Sequence, residues 1–125
     1  MPRIEPRKIG DLDLQVESNN SQVLISLAGK VTIDSSPDLR DRLLAVLSDA
    51  SLEQVTVDLK GVSYLDLSGI ATLIEALKIA RASKTRLLLT GLQDRPRYLL
   101  EVSGLLPFFE GATDTQQDAT LKGQE

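Results

Sequence analysis

The spacing of apolar residues constrains the fold most, because it switches repeatedly between the period of a strand and that of a helix. Residues 12–17 and 23–27 alternate apolar and polar side chains, which is the period of half-buried strands. The Ser-Asn-Asn-Ser segment at 18–21 has the composition of a turn. The pattern predicts an antiparallel hairpin whose second strand ends at Gly29, after a flexible lead-in at residues 1–10.

Two later segments have the spacing of long amphipathic helices. The first is predicted at residues 37–49, with Ser36 as its N-cap and Pro37 at its first position. The second is predicted to have Ser68 as its N-cap and to end near residues 81–83. Its apolar stripe consists of Ile70, Leu73, Ile74 and Leu77.

Two strands alternate with these helices, and a short helix follows the second strand. Residues 55–59 are predicted to form a strand, and residues 86–90 are a short continuous apolar run of strand length. This run is predicted to be buried on both faces. Pro96 opens the last helix, which we expect to end at Gly104. Its predicted inward-facing residues are Leu99, Leu100 and Val102.

This order of elements predicts an α/β protein with a mixed, mostly parallel β-sheet and helices packed on one face. No repeat or linker interrupts the 125 residues, so we expect one domain over residues 11–121 and a loose tail at 122–125. Residues 105–113 are predicted to hold a further strand or edge segment. Residues 115–121 are predicted to form a turn or two of helix.

The chain contains neither histidine nor cysteine. This absence excludes Ser-His-Asp and Cys-His catalysis, the usual zinc sites and disulfides. No spacing among the 18 Asp and Glu residues singles out a catalytic pair. Gly29-Lys30 resembles the end of a P-loop, but Leu24 stands where its first glycine belongs. We therefore expect no enzymatic activity, no metal and no cofactor.

Charge and hydropathy exclude further classes of protein. The formal net charge of −4 argues against general binding of nucleic acid. No apolar run approaches the roughly 20 residues that cross a bilayer, and no apolar signal segment follows the charged residues at the N-terminus. We expect a cytoplasmic protein without membrane insertion.

Three small or polar residues mark the passage from a strand into the second helix. Asp66, Ser68 and Gly69 lie in the segment Val-Ser-Tyr-Leu-Asp-Leu-Ser-Gly-Ile-Ala-Thr-Leu at 62–73. One interpretation is structural: the serine accepts a hydrogen bond from the first turn, and the glycine allows close packing. The local chemistry leaves open whether the hydroxyl has a further use.

The same segment resembles the signature of the STAS domain, in which Asp, Ser or Thr, Ser, Gly and Leu or Ile follow the third strand. Residues 29–40 resemble the family's glycine-led loop before its first helix, and parts of 89–105 resemble its last strand and the helix after it. The likeness covers roughly residues 12–121. It implies the STAS fold, which anti-sigma factor antagonists share.

For an anti-sigma factor antagonist, the resemblance implies a phosphorylation switch. The serine before the glycine, here Ser68, is phosphorylated by a partner that is both serine kinase and anti-sigma factor. The unphosphorylated form binds this partner, the phosphorylated form does not, and a phosphatase resets the switch. The implied partner-binding residues are Asp34, Ser35, Ser36, Asp66, Leu67, Ser68, Gly69, Ile70 and Leu92.

Two positions depart from the family pattern. Leu67 stands where Ser or Thr is frequent, and Thr32 stands where the loop commonly carries an Asp that helps partner recognition. Asp34, two residues further on, is a candidate substitute for that Asp.

Other functions stay open at this point. One alternative is that this STAS domain is the constitutive small subunit of an ABC transporter for lipids. In that case Ser68 would only cap the second helix. A scaffold subunit in a stress-signalling assembly is a second alternative. An enzyme would need carboxylate or metal chemistry that the sequence does not contain in a recognisable pattern. We expect a monomer or a weak dimer.

Overall fold

The computed structural model describes residues 3–109. Its strands are β1 (Arg3–Ile9), β2 (Leu12–Asn19), β3 (Gln22–Val31), β4 (Gln54–Leu65) and β5 (Arg86–Thr90). Its helices are α1 (Ser36–Leu47), α2 (Leu67–Ala82) and α3 (Asp94–Val102), and a 3-10 turn follows at Leu106–Phe108. Where a strand or edge segment was predicted at residues 105–113, the described part up to residue 109 contains this 3-10 turn. The helix predicted at residues 115–121 lies outside the described residues.

Within the described range the strands form one sheet in chain order, β1-β2-β3-β4-β5. The strands β1, β2 and β3 pair antiparallel, whereas β3, β4 and β5 pair parallel across the helical connections α1 and α2. The predicted α/β class and mixed sheet are confirmed. The additional first strand makes the parallel and antiparallel pairings equal in number.

Residues 3–9 form an edge strand of the sheet where the sequence predicted a flexible lead-in. The pairing with β2 is continuous from Arg3 opposite Ser18 to Ile9 opposite Leu12. Pro6 is tolerated because an edge strand can leave one side of its backbone unpaired. The sequence of the strand has no alternating apolar pattern, so apolar spacing could not predict it.

The apolar residues on one face of the sheet form the core. β3 buries Val23, Ile25 and Leu27, and β4 buries every second residue from Val55 to Leu59. The intervening residues are half-buried or exposed, because the helices cover one face of the sheet, as predicted. The helices contribute side chains that are at most 1% exposed, among them Leu39, Leu43, Leu47, Leu73 and Leu100.

The strand β5 occupies its predicted residues but is not buried on both faces. Leu87 and Leu89 are buried, whereas Leu88 on the uncovered face is only half-buried. Val102, which was predicted to face inward, is 61% exposed because it lies two positions after Leu100, off the face of α3 that is buried. Gly104 follows the end of α3 with φ +74°, as expected for a residue just beyond a helix.

The two long helices begin at other residues than the predicted caps. Ser35, not Ser36, precedes α1, and its side chain makes no capping hydrogen bond. Asp66, not Ser68, caps α2. Local sequence does not decide between these neighbours, because serine and aspartate are both favoured N-cap residues.

Candidate functional site

The candidate site lies where β3 and β4 end side by side. Val31 of β3 pairs with Leu65 of β4, and the backbone N–H of Asp66 donates to the carbonyl oxygen of Val31 over 3.1 Å. β3 thus continues past Gly29, its predicted end. Because parallel strands finish at the same edge of a sheet, the loop before α1 and the start of α2 are brought together.

Asp66 connects these two segments through both oxygens of its carboxylate. Oδ1 accepts the backbone N–H groups of Ser68 (2.9 Å) and Gly69 (3.2 Å), and Oδ2 accepts that of Ile33 (3.1 Å). Partial burial acts to raise the pKa of this carboxyl. Hydrogen bonds from the Ser68 hydroxyl and the three N–H groups outweigh that effect and hold the pKa below its usual value. Asp66 is therefore charged at neutral pH, at the positive end of the α2 dipole.

The Ser68 hydroxyl lies between a carboxylate and a second hydroxyl. Its oxygen is 2.5 Å from Asp66 Oδ1, to which it donates, and 2.8 Å from Ser36 Oγ. Because the proton of Ser68 points to Asp66, Ser36 is the donor in the second contact. Ser36 is only 4% exposed, whereas Ser68 is half-buried. Ser68 is thus the more accessible hydroxyl of the pair, and it is held in one orientation.

The loop before α1 is held by its own polar side chains. Ser35 Oγ accepts the N–H of Thr32 over 3.1 Å and donates to the carbonyl oxygen of Lys30 over 3.2 Å. Thr32 Oγ1 accepts the N–H of Asp34 over 3.2 Å. Thr32 thus supports the loop, and the Asp34 side chain beside it is exposed. Ser35 is 1% exposed, so it shapes this surface from within.

Three large apolar side chains are exposed on the segments that form the polar network or next to them, and we call them the apolar rim. Leu67 is 79% exposed, Ile33 is 72% exposed and Tyr64 is 41% exposed. The sequence prediction included Leu67 but missed the other two. The available signal was an isoleucine inside a polar loop and a tyrosine outside the apolar period of its strand. Single exposed apolar residues are ordinary. Three large exposed apolar residues in or beside the segments of one polar network are typical of a protein contact surface.

Five of the predicted contact residues are buried, and two of them, Ser35 and Ser36, are described above. Gly69 is buried, Ile70 is 5% exposed and Leu92 is 2% exposed. A Cβ on Gly69 would overlap the side chain of Leu65 and would lie 2.8 Å from Val31 Cγ1. Gly69 supports the site from the core, and a direct contact of Gly69, Ile70 and Leu92 with a partner stays a prediction.

A shallow groove between α1 and α2 leads away from the polar network. Its lining includes Ile33, Ser36, Arg40, Ser68, Thr72 and Glu75. Arg40 Nε and Nη2 each donate to one carboxylate oxygen of Glu75 over 2.7 Å. The sequence prediction missed this ion pair, because its two residues are 35 positions apart and only helix packing brings them together.

A family model described as "Mlab, STAS domain" matches residues 14–106. The chain belongs to the STAS-domain family. The matched range contains α1, β4, α2 and the loop between β3 and α1, and therefore every residue of the site described above. The resemblance predicted from the sequence is confirmed.

Relatives of this STAS domain include proteins named anti-sigma-B factor antagonist. The one from Bacillus subtilis (strain 168) is 25% identical over 95 residues, which cover 76% of this chain and 85% of the relative. The one from Listeria monocytogenes serovar 1/2a is 29% identical over 94 residues, which cover 75% of this chain and 82% of the relative. Both alignments span most of the relative's length.

Solved structures share the STAS fold. The anti-sigma factor antagonist SpoIIAA in its unphosphorylated form has a TM-score of 0.70 at 20% identity, covering 89% of this chain and 96% of its own. The Bacillus cell fate determinant SpoIIAA in its phosphorylated form has a TM-score of 0.65 at 20% identity, covering 88% of this chain and 98% of its own. At this identity the likeness concerns the fold alone.

The site of this STAS domain presents polar groups beside exposed apolar side chains. Across residues 3–109, no helix combines the length and the apolar character that a membrane span requires. Over the same residues, no three carboxylates converge in a way that could hold a metal ion. What the site does offer is an oriented hydroxyl, a charged carboxylate and an apolar rim.

Proposed function

We propose that this STAS-domain protein is a cytoplasmic anti-sigma factor antagonist whose partner binding is switched by phosphorylation of Ser68. The unmodified protein binds an anti-sigma factor that is also a serine kinase. The phosphorylated protein is released, and a phosphatase restores it. The protein is itself a regulator without enzymatic turnover or cofactor. The names of its bacterial relatives support this role.

The observation that carries the proposal is the position of the Ser68 hydroxyl. It is half-buried and donates to Asp66, and Leu67 and Ile33 of the apolar rim are exposed on the two segments that Asp66 joins. A partner that covers the rim would enclose the hydroxyl within the interface. A charge added at that position would be desolvated beneath a bound partner, which weakens binding strongly.

The modification requires little chemistry from this chain. The Ser68 oxygen attacks the terminal phosphorus of a nucleoside triphosphate held by the partner. The hydroxyl proton passes to a base, and the nucleoside diphosphate leaves. Asp66 has a lowered pKa and is therefore a weak base but a good acceptor. It orients the hydroxyl, and the partner supplies the base.

The phosphate group changes the contact surface more than the fold. It adds a charge of roughly −1.5 to −2 and removes the hydroxyl that donates to Asp66. Two anions then face each other, and the phosphate turns away from the carboxylate. The free N–H groups and dipole of a helix N-terminus tolerate an anion, so the domain stays folded and the added charge acts on binding.

A constitutive STAS subunit of a lipid-transport ABC complex is the second candidate, favoured by the exposure of the apolar rim. Side chains as exposed as Ile33 and Leu67 suit a permanent interface, which is more apolar than a transient one. In that function Ser68 would serve only as a helix cap. Asp66 provides the cap of α2 instead. The Ser68 hydroxyl is therefore not needed as a cap and can accept a phosphate, which supports the switch.

A binding experiment tests the proposal. Affinity purification from native lysate, with mass spectrometry of bait and partner, identifies both the partner and the modified residue. Titration calorimetry then compares Ser68→Ala and Ser68→Glu with the unmodified protein. We expect Ser68→Ala to bind normally and Ser68→Glu to bind at least about tenfold more weakly, a loss of about 1.4 kcal/mol. Ser83→Glu is the matched control, since it adds the same charge at the other end of α2, about 22 Å away.

Two results would overturn the switch: normal binding by Ser68→Glu, or phosphate found only on other residues. A permease and ATPase that co-purify regardless of Ser68→Glu would establish the constitutive transporter subunit instead. Elution of the protein only within a very large assembly would indicate the scaffold function.

A further inference from the structure

Two polar contacts cross the interface between α1 and α2, one after the other along the groove. The first joins Ser36 Oγ and Ser68 Oγ at 2.8 Å. The second joins Arg40, one turn further along α1, to Glu75, two turns further along α2. The proposed modification site and the Arg40 guanidinium therefore line the same groove.

We propose that Arg40 is the phosphate-binding residue of the phosphorylated protein. Once Ser68 carries a phosphate, the guanidinium leaves Glu75 and pairs with the phosphate oxygens. This inference rests on the proposed phosphorylation of Ser68. It names a residue that would hold the phosphate and a second surface change that would accompany it.

The charges around Ser68 direct the phosphate towards Arg40. Asp66 repels it at the start of α2, and Glu75 lies at the far side of the groove. Of the described residues that line the groove, Arg40 carries the positive charge. Arginine also has the fork of N–H donors that matches a phosphate with two parallel hydrogen bonds.

Arg40 can exchange its ion pair with Glu75 for a pair with another anion with little loss of stability. The side chains of Arg40 and Glu75 are 45% and 38% exposed, and exposed ion pairs contribute little to the stability of a protein. A further contact of Arg40 with Asp41 is long, at 3.5 Å, and also exposed. A phosphate with nearly twice the charge of a carboxylate is the stronger acceptor.

The exchange would alter the surface at two points. Ser68 gains the phosphate, and Glu75 loses the cation that neutralises it. A partner seated across the groove would then meet a new anion beside the apolar rim and an unpaired carboxylate two turns away. The phosphorylation signal is thereby spread along α2 without a change of fold.

The test uses the full chain with phosphoserine incorporated at position 68 during translation, so that it requires no kinase. Phosphorus NMR follows the second ionisation of the phosphate between about pH 4 and pH 8. A nearby cation lowers the pKa of an acidic group. We expect Arg40→Gln to raise the phosphate pKa by at least about 0.5 unit relative to the wild-type arginine. Glu75→Gln, which frees Arg40, is expected to lower it.

Arg81→Gln is the matched control, because Arg81 lies in the last turn of α2, over the Phe108 ring, and carries the same charge. It should leave the phosphate pKa unchanged, and Asp66 contributes equally in all variants. Equal shifts for Arg40→Gln and Arg81→Gln, or none for either, would overturn the assignment of Arg40. That outcome is independent of the calorimetry: normal binding by Ser68→Glu refutes the switch, whereas an unshifted phosphate pKa refutes only the role of Arg40.

Discussion

The carboxylate of Asp66 accepts the backbone N–H of Ile33 over 3.1 Å, across 33 positions of the chain. The other oxygen of the same carboxylate caps α2 by accepting the N–H groups of Ser68 and Gly69. One side chain thus holds both the apolar residue of the loop and the proposed phosphorylation site. A substitution at Asp66 should therefore affect both the loop before α1 and the start of α2.

Asp66→Ala and Asp66→Asn should separate these two contacts. Alanine removes both, and we expect a loss of about 0.5–2 kcal/mol from the missing cap. Asparagine keeps one oxygen for the cap but turns an amide donor towards the Ile33 N–H. It should therefore retain most of the stability while the Ile33 amide exchanges hydrogen faster. Urea unfolding and hydrogen exchange by NMR measure both effects. Equal hydrogen-exchange rates of the Ile33 amide in Asp66→Asn and in wild type would contradict the hydrogen bond between this amide and the Asp66 carboxylate.

The stability supplied by Asp66 should depend on pH in one direction. Its pKa is lower in the folded protein than in the unfolded chain, so its contribution is complete above the unfolded value of about 4 and is lost as the pH falls through the folded value. The difference in melting temperature between wild type and Asp66→Asn should be constant from pH 8 to pH 5 and should shrink below about pH 4. A difference in melting temperature that grows on acidification would contradict the predicted direction of the pH dependence.

Gly69→Ala should destabilise the protein although alanine favours helices. Helix propensity alone predicts a gain of up to about 1 kcal/mol, but the new Cβ would overlap Leu65. Overpacking of a core costs about 1–3 kcal/mol. Combining Gly69→Ala with Leu65→Ala should make the two effects less than additive, since the second change creates space for the first. Strict additivity in chemical unfolding would show that the crowding lies elsewhere.

Leu73→Asp should prevent cooperative folding, whereas Ala71→Asp on the same helix should not. Leu73 is 1% exposed, and Ala71 faces solvent. A carboxylate buried at position 73 without a partner costs several kcal/mol, roughly the net stability of a small domain. Circular dichroism melts distinguish the two variants. A normal melt for Leu73→Asp would mean that this face of α2 does not pack on the sheet.

Removal of residues 1–8 should leave a folded but less stable protein. The deletion removes most of β1 and keeps Ile9, which is buried. It also exposes the backbone edge of β2, and an uncovered edge strand can pair with another molecule. We expect a cooperative melt at lower temperature and increased self-association in sedimentation experiments. An unfolded truncation product would show that β1 is essential to the domain.

The order of elements from β2 to α3 could be predicted from the sequence, because each has its own apolar period. β5 was predicted with its observed bounds, and the stripe on α2 identified Leu73 as a core residue. β1 could not be predicted in this way, since an edge strand with a proline has little apolar pattern and is held by pairing with β2. The segments that formed the family resemblance were enough to predict the STAS fold.

The sequence by itself determined the residue types at the site: an aspartate, a serine and a glycine between a strand and a helix, in a chain without histidine or cysteine. Only the tertiary structure decided their roles. Asp66 rather than Ser68 caps α2, Leu92 lies in the core, and Ile33 joins the surface. The physical reason is that spacing along a chain specifies which side chains share a face, whereas the parallel pairing of β3 and β4 and the packing of α1 on α2 determine which distant residues meet.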